Sequence, residues 1–106
     1  MNDGDVVFRA LVEAHRARRP VVLATVVDTR GSVPRHPGSR MLVDPAAGLV
    51  GTIGGGCGEA DVIEAARVAL ETGEPRLVRV ELMDQPETWS PAVCGGVMEI
   101  LVEPVQ

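Results

Sequence analysis

The stretch Val21-Val22-Leu23-Ala24-Thr25-Val26-Val27 decides the fold. It is rich in β-branched residues and almost continuously apolar, the pattern of a strand covered on both faces. Outward toward the N-terminus, Val7, Leu11 and Ala14 recur at helical spacing, and Phe8 and Val12 widen the stripe. A helix is therefore expected from about Asp3 to Arg18. Asn2 or Asp3 can cap its start, Arg16, Arg18 and Arg19 suit its negative end, and Pro20 stops it.

Outward toward the C-terminus, Asp28 to Gly38 contains Gly31, Ser32, Pro34 and Pro37 and reads as a loop. Arg40–Val43 and Leu49–Ile53 read as a hairpin around the turn at Asp44 to Gly48. After Gly54-Gly55-Gly56-Cys57-Gly58, a second helix carries Val62, Ile63, Ala66, Ala69 and Leu70 on one apolar face and ends at Gly73 and Pro75. Leu77 to Leu82 alternates as a half-buried strand. The last strand, Val97 to Val102, puts Met98, Ile100 and Val102 on one face, and Met41 and Met98 read as core. The expected architecture is α/β (α+β): one domain over residues 1–106, in two layers, with a mixed sheet of about five strands and two main helices.

Composition narrows the function. A formal charge of -5 argues against a general nucleic-acid binder, whose footprint is basic. No apolar run is long enough to span a bilayer, and the start at Asn2, Asp3 and Asp5 is unlike a signal peptide. Two cysteines in such a chain point to free thiols in a reducing compartment, and so to the cytoplasm.

Three stretches can carry chemistry. In Gly51-Thr52-Ile53-Gly54-Gly55-Gly56-Cys57-Gly58-Glu59 a strand runs through glycines into a helix. Backbone N–H groups gathered at a helix N-terminus attract anions, and the same field stabilises a thiolate. Glu59 and Asp61 partly cancel that field. A dinucleotide fingerprint starting at Gly54 fails at Glu59, and a P-loop starting at Gly51 needs lysine where Cys57 stands. A glycine turn needed only for close packing is the plainer alternative. The second stretch, Val93-Cys94-Gly95-Gly96, repeats the pairing of cysteine with glycine just before a strand. The third, Thr29 to Arg40, holds Arg30, Arg35, Arg40 and His36 with no acid, and arginine suits oxyanions. There Arg35, between Pro34 and Pro37, is the binding candidate and the serine hydroxyls add donors, while Arg30 and Arg40 read as solvated charges. His15 and His36 read as surface residues. Zinc held by these histidines and the two cysteines lacks close ligand spacing, and a disulfide in a reducing compartment would be redox-linked.

The runs Ala24–Val27, Gly31-Ser32-Val33-Pro34-Arg35, Gly51-Thr52-Ile53-Gly54-Gly55-Gly56-Cys57 and Cys94-Gly95-Gly96, with Glu99 to Pro104, resemble the N-terminal domain of the XdhC/CoxI family over nearly the whole chain. The resemblance implies an accessory maturation factor, not itself an enzyme. It would bind the molybdenum cofactor, support its sulfuration and help insert it into a molybdenum hydroxylase apoenzyme of the xanthine or carbon monoxide dehydrogenase type. It also implies that Cys57 and Cys94 contact molybdenum or carry sulfur, with Gly54, Gly55, Gly56, Gly95, Gly96, Ser32 and Arg35 shaping the pocket. A cysteine desulfurase, a separate Rossmann-domain partner or a homodimer are the implied associations, since longer members continue into a Rossmann-type domain that is not expected here. Gly58 stands where a larger apolar residue is expected. The rival reading is a thiol-based sulfur carrier or redox enzyme using Cys57 and Cys94.

Overall fold

The computed structural model describes residues 3–31, 36–46, 48–51, 59–82 and 96–105. Helix α1 (Asp3–Arg16) leads into β1 (Val21–Arg30), β2 (Arg40–Asp44) and β3 (Gly48–Gly51). Helix α2 (Glu59–Thr72) then leads into β4 (Arg76–Leu82) and β5 (Gly96–Val105). The α+β class, the five strands and the two helices are as expected.

The sheet order is β3-β2-β1-β5-β4, and every pairing is antiparallel, which corrects the expected mixed sheet. The physical reason is where the α2 crossover lands. β3 and β4 run the same way, but α2 carries the chain from one edge of the sheet to the other. β5 then returns between β4 and β1, so no two like-directed strands touch.

Strand parity divides the core in two. Val22, Ala24 and Val26 of β1 join Met41, Val43, Val80, Met98, Ile100 and Val102 beneath Val62, Ala66 and Ala69 of α2. Val21 of β1 joins Leu42 beneath Val7 and Ala14 of α1, with Leu23 packed at its margin. The helices therefore lie on opposite faces, making three layers where two were expected. This double cover is why β1 reads as almost continuously apolar. Full burial of a side chain such as Met98 or Ile100 is worth about 1.5–3 kcal/mol.

β1 continues three residues past Val27, where a loop was expected. Asp28, Thr29 and Arg30 pair with Glu99, Met98 and Val97 after a register shift between Val26 and Asp28. Tertiary pairing with β5 overrides the polar character of those residues. Three apolar positions assigned to helix faces are also exposed: Phe8, Val12 and Ile63. Phe8 finds other cover, because the Arg40 guanidinium lies 5.0 Å from its ring centroid.

The chain leaves α1 through Arg18, which takes a left-handed φ of 58° while the Arg19 N–H donates to Ala14 O at 2.9 Å. Arg19 does not serve the helix end as expected. Its guanidinium reaches Asp44 Oδ2 at 3.0 Å, and the Ala46 N–H donates to Asp44 Oδ1. Asp44 is nearly fully buried, so these donors offset the cost of its desolvation. Among the described residues no helix is long and apolar enough to cross a membrane.

Candidate functional site

Antiparallel pairing gives the sheet two chemically different ends. At the end where β1 finishes with Arg30, β3 finishes with Gly51 and β4 with Leu82, while β2 begins at Arg40 and β5 at Gly96. Only three residues separate Thr72 from Arg76 at the opposite end, so α2 starts on the side of the first. The described flanks of segments 32–35, 52–58 and 83–95 therefore all belong to one end. Those are the three segments that the sequence marks for chemistry.

Most of the expected site residues fall within those segments. Ser32, Arg35, Gly54, Gly55, Gly56, Cys57, Cys94 and Gly95 lie outside the described residues. Gly96 is described: it is the buried first residue of β5 and pairs with Leu82, so it belongs to the sheet. Among the described residues, no group of three His, Cys, Asp or Glu side chains could hold a metal ion.

The frame around the segments is well defined. The Gly38 N–H donates to Val26 O at 2.7 Å, the Val26 N–H donates to Ser39 O at 2.9 Å, and the Ser39 N–H donates to His36 O at 3.1 Å. The returning limb of the β1–β2 connection is thus clamped beside the irregularity of β1. A positive φ of 95° lets Gly38 make this turn. Arg30 is exposed, with Nε 4.0 Å from Asp28 Oδ2, and His36 is exposed as expected. Arg40, read from sequence as solvated, is instead half-buried over Phe8. Glu59 and Asp61 do occupy the first turn of α2, where their charge favours the helix but competes with an incoming anion.

Sequence reasoning missed the part played by Gly51, which it placed inside a strand. Gly51 ends β3 at a φ of 81°. A Cβ there would lie 2.8 Å from Val7 Cγ2 and 2.9 Å from Arg40 O. The strand, α1 and β2 thus converge on a backbone that has no room for a side chain. The available signal was a glycine at the head of a glycine-rich run, which periodicity alone treats as strand.

Fold and frame together define the class: an α+β domain whose antiparallel sheet brings the described flanks of its glycine- and cysteine-bearing segments to one end. The chain belongs to the XdhC and CoxI family, whose model matches residues 14–81 and bears out the resemblance. That span includes Ser32, Arg35 and Gly54 to Cys57, and stops short of Cys94. Over 96 residues the chain is 35% identical to the uncharacterized protein YqeB of Escherichia coli (strain K12), covering 91% of this chain and 18% of YqeB. Over 97 residues it is 31% identical to the molybdenum cofactor insertion chaperone PaoD of the same organism, covering 90% of this chain and 30% of PaoD. A crystal structure described as a xanthine dehydrogenase from Bacillus halodurans superimposes with a TM-score of 0.78 at 30% identity, covering 100% of this chain and 31% of that one. The chain spans under a third of the length of each of these relatives.

Proposed function

We propose that this domain holds the molybdenum cofactor as cargo during maturation of a molybdenum hydroxylase, with Cys57 and Cys94 as its sulfur contacts. The observation that carries this reading is the convergence of strand ends. Cys57 stands two positions before Glu59 and Cys94 two before Gly96. Covalent geometry alone tethers each cysteine within roughly 7 Å of its anchor. Both anchors belong to the same end of the molecule, as do the flanks of Ser32 and Arg35.

The chemistry suits the cargo. Thiolates are soft ligands for a metal or for sulfur, and unpaired backbone N–H groups with an arginine suit the negative groups of a pterin phosphate. The similarity to PaoD supports insertion as the task. In this reading the domain acts in the cytoplasm as an accessory factor. It supports cofactor sulfuration with a cysteine desulfurase and passes the cofactor to the apoenzyme, alone or beside a Rossmann-type partner.

The test is a binding measurement. Purified chain mixed with molybdenum cofactor should co-elute with it stoichiometrically, and Cys57→Ala or Cys94→Ala should lower retention at least tenfold, the effect of losing about 1.4 kcal/mol. Equal retention by the double cysteine variant would remove both thiols from the account.

A further inference from the structure

We propose that Arg40, laid over the ring of Phe8, is a phosphate-binding cation at the end of the sheet where the three marked segments have their flanks. The proposal rests on the cofactor reading for the identity of its ligand: in that reading the phosphate is the cofactor's own. Arg40 opens β2 at the end where β1 finishes at Arg30 and β3 at Gly51. Its carbonyl oxygen lies 2.9 Å from the position a Cβ on Gly51 would take, so the chain leaves β3 for residues 52–58 beside Arg40.

Arg40 stands apart among the arginines. Those exposed to water need no partner. Among the described residues only Arg19 and Arg40 are half-buried arginines. Arg19 answers Asp44, 3.0 Å away. Arg40 has no carboxylate within ion-pair distance among the described residues, and what it meets is the Phe8 ring, 5.0 Å from guanidinium carbon to centroid. A cation partly withdrawn from water costs free energy until an anion pairs with it.

The stacking sets the chemistry of the ligand. A guanidinium laid on an aromatic face keeps its in-plane N–H edge free, and that edge matches two oxygens of one anion. A phosphate monoester carries about -1.5 to -2 charge at neutral pH, more than a carboxylate, and so gains more from a single cation. The net charge of -5 draws no anion to the chain in general, so saturable phosphate binding reports a local site. Phe8 acts through Arg40 as a positioning residue: it holds the plane of the fork and leaves the anion to the N–H groups.

The test titrates inorganic phosphate into the full chain, with the Arg40 Nε–H signal followed by NMR and affinity by calorimetry. In the parent that signal should shift saturably. Arg40→Gln should weaken phosphate binding at least about tenfold with unchanged circular dichroism, as for loss of a charge-assisted bidentate contact. Arg40→Lys should recover only part of the affinity, and Phe8→Leu, which keeps the cation but removes its platform, should weaken binding about threefold. No saturable shift in the parent, or parent-like affinity in Arg40→Gln or Phe8→Leu, would overturn the proposal. Cofactor retention separates the two readings. A parent that binds phosphate at Arg40 yet retains no molybdenum cofactor contradicts the cofactor reading and upholds the phosphate site. Retention that falls in the cysteine variants but not in Arg40→Gln overturns Arg40 as the contact of the cofactor's phosphate.

Discussion

Gly51 shows how one residue can fix the end of a strand. Its left-handed backbone and the 2.8 and 2.9 Å approaches of Val7 and Arg40 leave no space for a methyl group. Gly51→Ala combines a left-handed conformation that costs an L-residue about 1–2 kcal/mol with overpacking of about 1–3 kcal/mol. We expect a loss of about 2–4 kcal/mol, read as a lower denaturant midpoint with an unchanged slope. A midpoint within error of the parent would mean that the contact with α1 does not hold the end of β3. Part of the residue scale was legible in sequence. Met41 and Met98 read as core and are fully buried, and His15 and His36 read as surface and are exposed. The Arg19–Asp44 pair was not legible. Its partners stand 25 positions apart, and Asp44 carries the local signature of a turn residue.

At the scale of elements, α2 carries an electrostatic clasp on its outer face. Arg67 donates to Glu64 and, at 2.7 Å, to Glu71, pairs expected of side chains three and four positions apart. The Arg67 hydrogen bond, and then its charge, hold the Glu64 carboxyl below its ordinary value, while the same partners push Arg67 upward. A carboxylate depressed in the folded state contributes stability above its unfolded pKa and loses it as pH falls through the folded value. Arg67→Met should therefore melt slightly below the parent at neutral pH. The gap should close as the pH drops below the ordinary carboxylate range near ~4. A gap of constant size from neutral to acid pH would contradict the clasp.

The existence of every element was legible, because apolar periodicity is a local signal. Pairing and layering were not. The stripes of α1 and α2 look alike in sequence, and nothing local says that they cover opposite faces. Likewise, the extension of β1 through Asp28, Thr29 and Arg30 depends on β5, some seventy positions away.

At the scale of the whole molecule, the end of the sheet where β1 finishes at Arg30 and β3 at Gly51 is stepped. Gly51 pairs with Met41, and Met41 with Ala24, which is level with Val102. Arg30 is level with Val97, five positions farther along β5, a step of roughly 17 Å. Antiparallel topology thus brings the described flanks of segments far apart in sequence to one end of the sheet. The candidate site was legible as motifs, since cysteine beside glycine recurs at strand boundaries. Convergence of their flanks was not, because it depends on strand direction and order.

The central claim is that Cys57 and Cys94 serve one mouth, and a short bis-maleimide cross-linker measures this most directly. Treated at high dilution and read by mass spectrometry, the folded chain should take up one reagent bridging both cysteines within a single chain, and the yield should vanish on unfolding. Two separately capped thiols, with no bridged peptide from the folded protein, would contradict the shared mouth.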